Sequence, residues 1–296
     1  MKDKPKDKIL LIDGNNLLFR CYYKFSGMVS KSGIPSSMVF GYPYTLRSVV
    51  NRFNPKMVIN VFDGGKNPKR LEIHPEYKQR DPKLGFDIDD FKAQKEEVMK
   101  FLLRLNNHVV WERHTEADDW IYTLARKFKK KYEVIVISSD KDFNQLVDKG
   151  VTCFNPHKGI SITPKNMERH FGYSPEECVD WLILDGDSSD NIPGYKGMGP
   201  KTIRLFLNEH ASIKKYLKGG FSFKRINNEL LDNIYRRNRI LIDLAYFYRK
   251  FTKKSPIPYY GIPKFDKDYI WQFSNNYDIN TFLKSDFQKP FKNLKS

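Results

Sequence analysis

The chain has 296 residues, of which 40% are hydrophobic and 15% are aromatic. This composition is typical of a globular protein and excludes a disordered one, and the length allows one large or two modest domains. No apolar run approaches the ~18 residues that a membrane helix needs. The three cysteines are few and widely spaced, which favours neither disulfides nor a zinc site, so we expect no membrane partner and a reducing, cytoplasmic setting.

The charge is strongly unbalanced, with 52 Lys and Arg against 35 Asp and Glu and a formal net charge of +17. An excess of this size favours a polyanionic partner, usually nucleic acid, although solubility alone is the alternative explanation. Residues 196–254 carry 15 basic and 4 acidic side chains, a local net charge of 15 − 4 = +11. The sequence therefore predicts a basic face or channel in that region.

Three short apolar runs each stop at an aspartate, namely Asp13, Asp63 and Asp140. Continuous apolar runs predict strands that are buried on both faces, and helix-like stretches lie between them, at 38–53, 89–106 and 116–131. Strands that alternate with helices predict a parallel α/β sheet, in which ligands bind beyond the carboxyl ends of the strands. One such aspartate is often a turn residue, but three favour a shared site at that edge.

The segment 66–83 is polar, basic and interrupted by three prolines. It follows one sheet-edge aspartate and precedes a long amphipathic helix, so we expect an excursion above the site; a plain surface loop is the alternative. Its cations and one tyrosine favour contact with phosphates and bases. These residues are Lys69, Arg70, Tyr77, Lys78, Arg80 and Lys83.

The strand pattern stops near residue 180, and the chain is then helical and basic to about residue 251. We interpret 1–180 as a catalytic core, 181–254 as a DNA-binding region and 255–296 as a C-terminal extension of unknown role. Within the extension, residues 269–273 indicate one ordered element. The last residues could bind a replication protein through Phe287 and Phe291, but local packing or a loose tail is the favoured interpretation.

Further acidic residues join the three strand ends. Glu116, Asp118 and Asp119 lie at the start of a predicted helix, where a cap needs one acid and not three. The others are Asp142, Asp187 and Asp190. Carboxylates brought together repel one another unless cations neutralise them, and an all-oxygen set suits Mg²⁺ or Mn²⁺ rather than zinc. Two such ions can activate a water and stabilise the leaving oxygen at phosphorus, which predicts a nuclease.

A glycine-rich turn, "GYKGMGPKT", follows the last acids. Glycines permit close approach of the backbone to a ligand, and a helix N-terminus presents N–H groups to phosphate. A plain turn is the alternative, but the basic flanks favour a helix–hairpin–helix that grips the DNA backbone without reading its sequence. The expected DNA contacts are Gly194, Lys196, Gly197, Gly199, Lys201 and Thr202.

Taken in order, these motifs resemble those of the replication 5'-nucleases: flap endonucleases, the 5'-nuclease domain of bacterial DNA polymerase I, and phage 5'-exonucleases, including phage ribonuclease H. The resemblance covers about residues 8–250. It is carried by "LLIDGNNLLFRCYY", "GIPSSMVFGYPYTLRSVV", "VFDGGK", "PEYKQR", "TEADDWIYTLA", "VIVISSDKDFNQLV" and "GDSSDNIPGYKGMGPKTI". The resemblance implies a PIN-like (resolvase-like) α/β core with a helical arch at about 66–100.

The resemblance also implies roles for individual residues. Asp13, Asp63, Glu116, Asp118 and Asp119 match the acids around a first metal, and Asp140, Asp142, Asp187 and Asp190 those around a second. Lys78 and Arg80 match catalytic cations of the arch, although "YKQR" has one residue fewer than the family pattern, which makes Lys83 an alternative to Arg80. Arg20 and Tyr22 match substrate contacts, and the hairpin matches a K⁺ site.

The expected activity is that of a metal-dependent 5'-3' exonuclease or flap endonuclease, acting near the 5' end of branched, nicked or primer-bearing DNA. RNA–DNA hybrids are included among the expected substrates, and primer removal in replication is the expected context. We expect a monomer, in the host cytoplasm if the chain is of phage origin, as the lack of an attached polymerase favours. A PIN-type ribonuclease and a non-catalytic DNA-binding relative are the alternatives.

Overall fold

The computed structural model describes residues 6–79, 85–224, 226–253 and 255–295. Its centre is a six-stranded sheet in the order β3-β2-β1-β4-β5-β6, in which β6 alone runs antiparallel to its neighbour. The strands are β1 (Lys8–Asp13), β2 (Met57–Phe62), β3 (His108–Trp111), β4 (Glu133–Ile137), β5 (Val151–Asn155) and β6 (Ile160–Ile162). The predicted parallel α/β sheet is confirmed.

Helices cover both faces of the sheet because the apolar residues of each strand alternate. In β1, Leu10 and Ile12 pack on one face and Ile9 and Leu11 on the other, and all four are fully buried. The first face carries α1 (Gly14–Lys24), α2 (Ser37–Phe53) and α4 (Ile88–Arg104). The second face carries α3 (Pro68–Ile73), α5 (Ala117–Phe128), α6 (Met167–Phe171) and α7 (Cys178–Asp185).

The predicted DNA-binding region shares the second face. It contains a two-stranded ladder and four helices: β7 (Gly186–Asp187), β8 (Ile192–Pro193), α8 (Pro200–His210), α9 (Ile213–Gly219), α10 (Asn228–Ile242) and α11 (Leu244–Phe247). Phe206 of α8 and Leu231 of α10 belong to the same hydrophobic cluster as Trp120 of α5. The predicted division at residue 180 therefore does not separate two hydrophobic cores.

The C-terminal extension completes the first face. It contains α12 (Lys267–Asn276) and α13 (Ser285–Lys292), and the Phe287 and Phe291 rings are at most 1% exposed. The chain before α12 pairs with the outer edge of β3, where Tyr260 N–H donates to the Val109 carbonyl at 2.8 Å. Local packing, part of the favoured interpretation of this segment, agrees with the structure because both rings lie in the core, where neither is open to a replication protein.

The composition argued against disulfides and against a membrane helix, and the structure describes the cysteines and the helices concerned. Cys21, Cys153 and Cys178 are buried free thiols, and burial raises the pKa of Cys21 to about 12, so this side chain is a packed neutral group. Among the helices of the described ranges, none combines the length and the apolar character that crossing a bilayer requires.

Candidate active site

A cavity of about 320 Å³ opens at the carboxyl edge of the sheet. Six acidic side chains line it: Asp13, Asp63, Glu116, Asp118, Asp140 and Asp190. The cations Lys66 and Lys78, with Asn15, Asn16 and Phe19, complete the wall. The structure therefore brings together acids that are up to 177 positions apart in the chain (190 − 13), as the parallel topology predicts.

Asp13 ties the ends of two central strands to helix α1. Its Oδ1 accepts the Asn16 N–H at 3.1 Å and its Oδ2 accepts the Ser138 hydroxyl at 2.7 Å. The same hydroxyl oxygen accepts the Asp140 N–H at 3.0 Å. Burial, together with the charges of Asp63 and Asp140, raises the pKa of Asp13 to about 7 despite the hydrogen bond from Ser138.

Asp63 joins β2 to helix α5. Its Oδ1 accepts the Ala117 N–H at 2.7 Å, so this carboxylate satisfies a free donor in the first turn of α5. Its carbonyl accepts two side chains, the Trp111 Nε1–H at 3.2 Å and the Lys95 ammonium at 2.5 Å. Asp63 is thereby held at the cavity wall through both its carboxylate and its main-chain carbonyl.

The two groups of acids matched to separate metals form one continuous field of negative charge. Burial raises the pKa of Asp118, and the charges of Asp140, Asp63 and Asp13 raise it further although Lys78 opposes them. The pKa of Asp142 is raised by burial and then by Asp140, Asp187 and Asp190. Asp140 is thus the acid that couples both groups.

Glu116 differs from the other acids because donors surround it. The Lys78 ammonium lies 2.6 Å and the Tyr77 hydroxyl 2.8 Å from Oε2, while Oε1 accepts the Asn67 N–H at 3.1 Å and faces the Arg70 guanidinium at 3.1 Å. Burial alone would raise the pKa of Glu116, but Arg70 and Lys78 hold it at about 2. Glu116 is therefore an ionised anchor for the segment that follows α3.

Lys78 is placed among the acids by a strained backbone and a side-chain clamp. Its φ is 51°, and its N–H donates to the Asp190 carbonyl at 3.0 Å. Asn191, also left-handed, donates through Nδ2 to the Gln79 carbonyl at 2.6 Å and its own carbonyl lies 2.6 Å from His74 Nε2. Sequence reasoning missed Asn191, although an asparagine directly after an acidic motif is a signal for a left-handed turn.

The glycine turn is an exposed hairpin between α7 and α8. A side chain at Gly194 would place Cβ 2.3 Å from the Leu184 carbonyl oxygen, and Gly197 has a φ of +90°, so the turn needs glycine at both positions. Lys196 and Lys201 are exposed, and Pro200 begins α8. Directly before the turn, Gly186 pairs with Pro193 and Asp187 pairs with Ile192. This two-pair ladder joins the backbone of Asp187 to the start of the hairpin.

The comparisons with known proteins agree with this geometry. Residues 8–172 match the family model described as 5'-3' exonuclease, N-terminal resolvase-like domain. The 5'-3' exonuclease of Aquifex aeolicus is 32% identical over 242 residues, which cover 80% of this chain and 82% of that protein. The chain belongs to the 5'-3' exonuclease family. The family, the nuclease class and the resolvase-like fold predicted from sequence are confirmed.

Other proteins that are similar to this chain are either longer or more distant in sequence. DNA polymerase I of Mycobacterium tuberculosis is 31% identical over 82% of this chain, but the match spans 28% of that protein's length. The bacteriophage T5 5'-exonuclease superposes with a TM-score of 0.67 at 22% identity, over 94% of this chain and 100% of that one. Flap endonuclease-1 from Methanococcus jannaschii gives 0.56 at 17% identity, over 98% and 93%.

Burial corrects several of the predicted site residues. Asp119 lies off the cavity wall, because both of its oxygens accept the Arg70 guanidinium, at 2.9 and 2.7 Å. It is therefore an ion-pair partner and not a ligand in this arrangement. Arg70 is 1% exposed and Tyr77 2%, and both face Glu116, so neither is open to DNA. Tyr22 is 8% exposed and its hydroxyl accepts a backbone N–H, which excludes it in the same way.

The predicted arch at about 66–100 includes residues that belong to the core, because helix α4 packs Phe91, Val98 and Phe101 into the first face of the sheet. Between α3 and α4 the structure describes residues 74–79 and 85–87, and among them Tyr77 and Lys78 contact Glu116. Arg80 and Lys83 lie outside the described residues, and the Lys69 ammonium pairs with Glu72 on the surface at 2.9 Å.

The acidic set fits hard divalent cations by its chemistry. Within the described ranges, no three Asp, Glu, His or Cys side chains are spaced to hold an ion as they stand, and the Lys78 ammonium lies within 3.8 Å of Glu116, Asp118 and Asp190. Every polar ligand candidate is a carboxylate, and the buried Oδ1 of Asp142 has no hydrogen-bond partner in the described part of the chain. An oxygen set with spare acceptors suits Mg²⁺ or Mn²⁺.

Proposed function

We propose that this family member is a structure-specific, divalent-metal-dependent 5'-nuclease that hydrolyses phosphodiesters near the 5' end of branched, nicked or primer-bearing DNA. One observation carries the proposal. An acidic cavity is joined by the short β7–β8 ladder to an exposed basic hairpin. The hairpin would hold duplex backbone at a fixed distance from the acids, and that distance would set where the strand is cut.

The metals remain part of the proposal. Solved structures of the T5 5'-exonuclease contain divalent metal ions in one case and DNA with metal ions in another, which is a property of that protein. Here Asp13, Asp63, Asp118, Asp140, Asp142, Asp187 and Asp190 would hold two Mg²⁺ or Mn²⁺ ions. Such ions, when bound, supply activation of the attacking water and stabilisation of the leaving oxygen.

The protein's own groups would orient the substrate and its charge. The Lys78 ammonium would turn from the acids towards the scissile phosphate and stabilise the charge that develops there. The N–H groups at the start of α8, with Lys196 and Lys201, would bind duplex phosphates. Arg20 stays a predicted contact with the substrate strand; it is half-buried, and its buried Nη1 has no hydrogen-bond partner among the described residues. Gly194, Gly199 and Thr202 would shape the turn, where a K⁺ ion stays a prediction.

The decisive experiment removes two acids and keeps the fold. Asp140→Ala combined with Asp142→Ala should abolish cleavage of a 5'-flap substrate in Mg²⁺ and leave binding of the same DNA intact in EDTA. Asp185→Ala is the matched control, because this exposed acid at the end of α7 is not among the carboxylates whose charges raise the pKa of Asp118 or Asp142. Retained cleavage by the double variant, or equal loss in the control, would contradict the proposal.

The substrate range needs parallel assays. We expect cleavage of a 5' flap, a nicked duplex and an RNA–DNA hybrid, as in removal of replication primers, and none of single-stranded RNA. Cleavage of single-stranded RNA alone would favour the ribonuclease alternative, and binding without cleavage the non-catalytic one. The monomeric state and the cytoplasmic location stay predictions, which light scattering and fractionation would test.

A further inference from the structure

A second cavity, of about 380 Å³, lies beyond the edge strand β3 and outside the acidic site. Its lining comes from three parts of the chain: α4 gives Lys92, Lys95, Glu96 and Met99, β3 gives Trp111, and the C-terminal extension gives Tyr260. Nothing in the proposed reaction uses this cavity. We call it the Trp111–Tyr260 pocket.

Two aromatic rings form its walls. The Trp111 and Tyr260 ring centroids are 6.0 Å apart at an interplanar angle of 82°, and both side chains are half-buried, so each keeps part of its surface open. The backbone N–H of Tyr260 is held by the Val109 carbonyl at 2.8 Å, which fixes the second ring against the sheet edge. A flat ring with one open face is a platform on which any nucleobase can stack.

Asp63 connects the lining of the pocket to the acidic cavity, although it does not itself line the pocket. The carbonyl of Asp63 accepts both Trp111 Nε1–H, at 3.2 Å, and the Lys95 ammonium, at 2.5 Å, while the carboxylate of the same residue lines the acidic cavity. The two cavities therefore lie back to back across Asp63.

The strand order places the pocket and the hairpin on opposite sides of the acids. Along the sheet edge come β3 with the pocket, β2 with Asp63, β1 with Asp13, and β4 followed by Asp140. Asp140 in turn is coupled to Asp187 and Asp190, from which the hairpin ladder begins. Duplex held by the hairpin lies on the β4 side, so the unpaired 5' nucleotides would extend to the β3 side.

The charges of the rim suit a nucleotide. The Lys92 side chain is 67% exposed and forms a surface ion pair with Asp89 at 3.4 Å, and Lys95 is half-buried. Glu96 forms an ion pair with Lys100 at 2.9 Å, so its charge is largely balanced within α4. Cations beside an aromatic platform are the combination that binds single-stranded nucleic acid.

We infer that the Trp111–Tyr260 pocket binds one unpaired nucleobase of the substrate's 5' single strand, with Lys92 on the adjoining phosphate. The inference rests on the proposed 5'-nuclease function, which it deepens by assigning a site to the flap. It predicts that recognition of a flap, as distinct from a nick, depends on an aromatic ring at Tyr260.

A binding measurement tests the site without any cleavage. The probes are nicked duplexes with a short 5' flap, and each probe carries 2-aminopurine at a different position of the flap. Fluorescence is read in EDTA. We expect quenching at one flap position in the wild type and in Tyr260→Phe, and its loss in Tyr260→Ala. Trp271→Ala is the control, because this indole is 58% exposed on α12 and lies outside the pocket lining. Quenching that survives Tyr260→Ala, or that Trp271→Ala also removes, would overturn the inference.

A kinetic measurement then separates flap from nick. Tyr260→Ala should raise KM about 5- to 20-fold for a flapped substrate, as loss of one stacked base predicts, and leave a flapless nick unchanged. An abasic site at the quenched position should cause the same rise in the wild type and no further rise in the variant. An equal loss on the nick would refute the pocket's role.

Two other outcomes also decide the inference. If the wild type cleaves no DNA, the proposed function fails, and the fluorescence result still decides whether the pocket binds a base. If Tyr260→Ala does not fold, Lys92→Ala must weaken flap binding and spare nick binding.

Discussion

Replacing Arg70 with methionine would remove the only cation that contacts Asp119 in the described part of the structure. Arg70 and Asp119 have 1% and 2% of their side chains exposed, and two hydrogen bonds of 2.9 and 2.7 Å join them. The Phe247 ring, 4.0 Å from the guanidinium carbon, seals the pair from water. Breaking a buried pair by removing one partner costs about 3–5 kcal/mol, a large share of the ~5–15 kcal/mol that stabilises a domain.

Urea unfolding followed by tryptophan fluorescence would measure this loss, with equal slopes for variant and wild type. Glu116 also loses its 3.1 Å contact with Arg70 but keeps its bonds to Lys78 and Tyr77, so most of the cost should come from Asp119. Arg70→Met combined with Asp119→Leu should therefore recover at least half of it. Lys69→Met is the matched control, because its pair with Glu72 is exposed and should change stability by no more than about 0.5 kcal/mol. An Arg70→Met protein within about 1 kcal/mol of the wild type would refute the reasoning.

Four further predictions concern the site, the core and the hairpin. Lys78→Ala should lower kcat about 10²- to 10³-fold on a 5'-flap substrate in single-turnover assays, with flap binding nearly unchanged, because its ammonium would stabilise charge in the transition state. Since burial raises the pKa of Asp13 from 3.8 to about 7, the folded protein binds more protons than the unfolded chain in that window; melting temperature in EDTA should therefore fall as pH rises from about 4 to 7, and Asp13→Asn should flatten the slope. Phe291→Ala should lower the free energy of unfolding in urea by about 3–5 kcal/mol, and a smaller effect would show that the tail is loosely packed. Lys196→Ala combined with Lys201→Ala should reduce the slope of log binding constant against log salt concentration for duplex DNA by about two phosphate contacts.

Sequence patterns identified the strands that carry the site. β1, β2 and β4 are continuous apolar runs that end at or just before Asp13, Asp63 and Asp140, and a run of that kind has few alternatives to a buried strand. β3, β5 and β6, with four, five and three residues, escaped prediction because their apolar residues are too few to show a readable period. The C-terminal helices were missed in part because their apolar residues are interrupted by polar ones.

The sequence by itself determined that Asp13, Asp63 and Asp140 meet, because parallel strands bring their carboxyl ends to one edge whatever the loops do. It also determined the basic hairpin, since its glycines and lysines are local in the chain. Only the tertiary structure decided which charged groups remain free. Arg70 and Asp119 are ordinary members of a basic segment and an acidic motif until the fold buries them against each other, where desolvation leaves ion pairing as the one stable arrangement. The same holds for Trp111 and Tyr260, which become neighbours because the extension covers the open edge of β3.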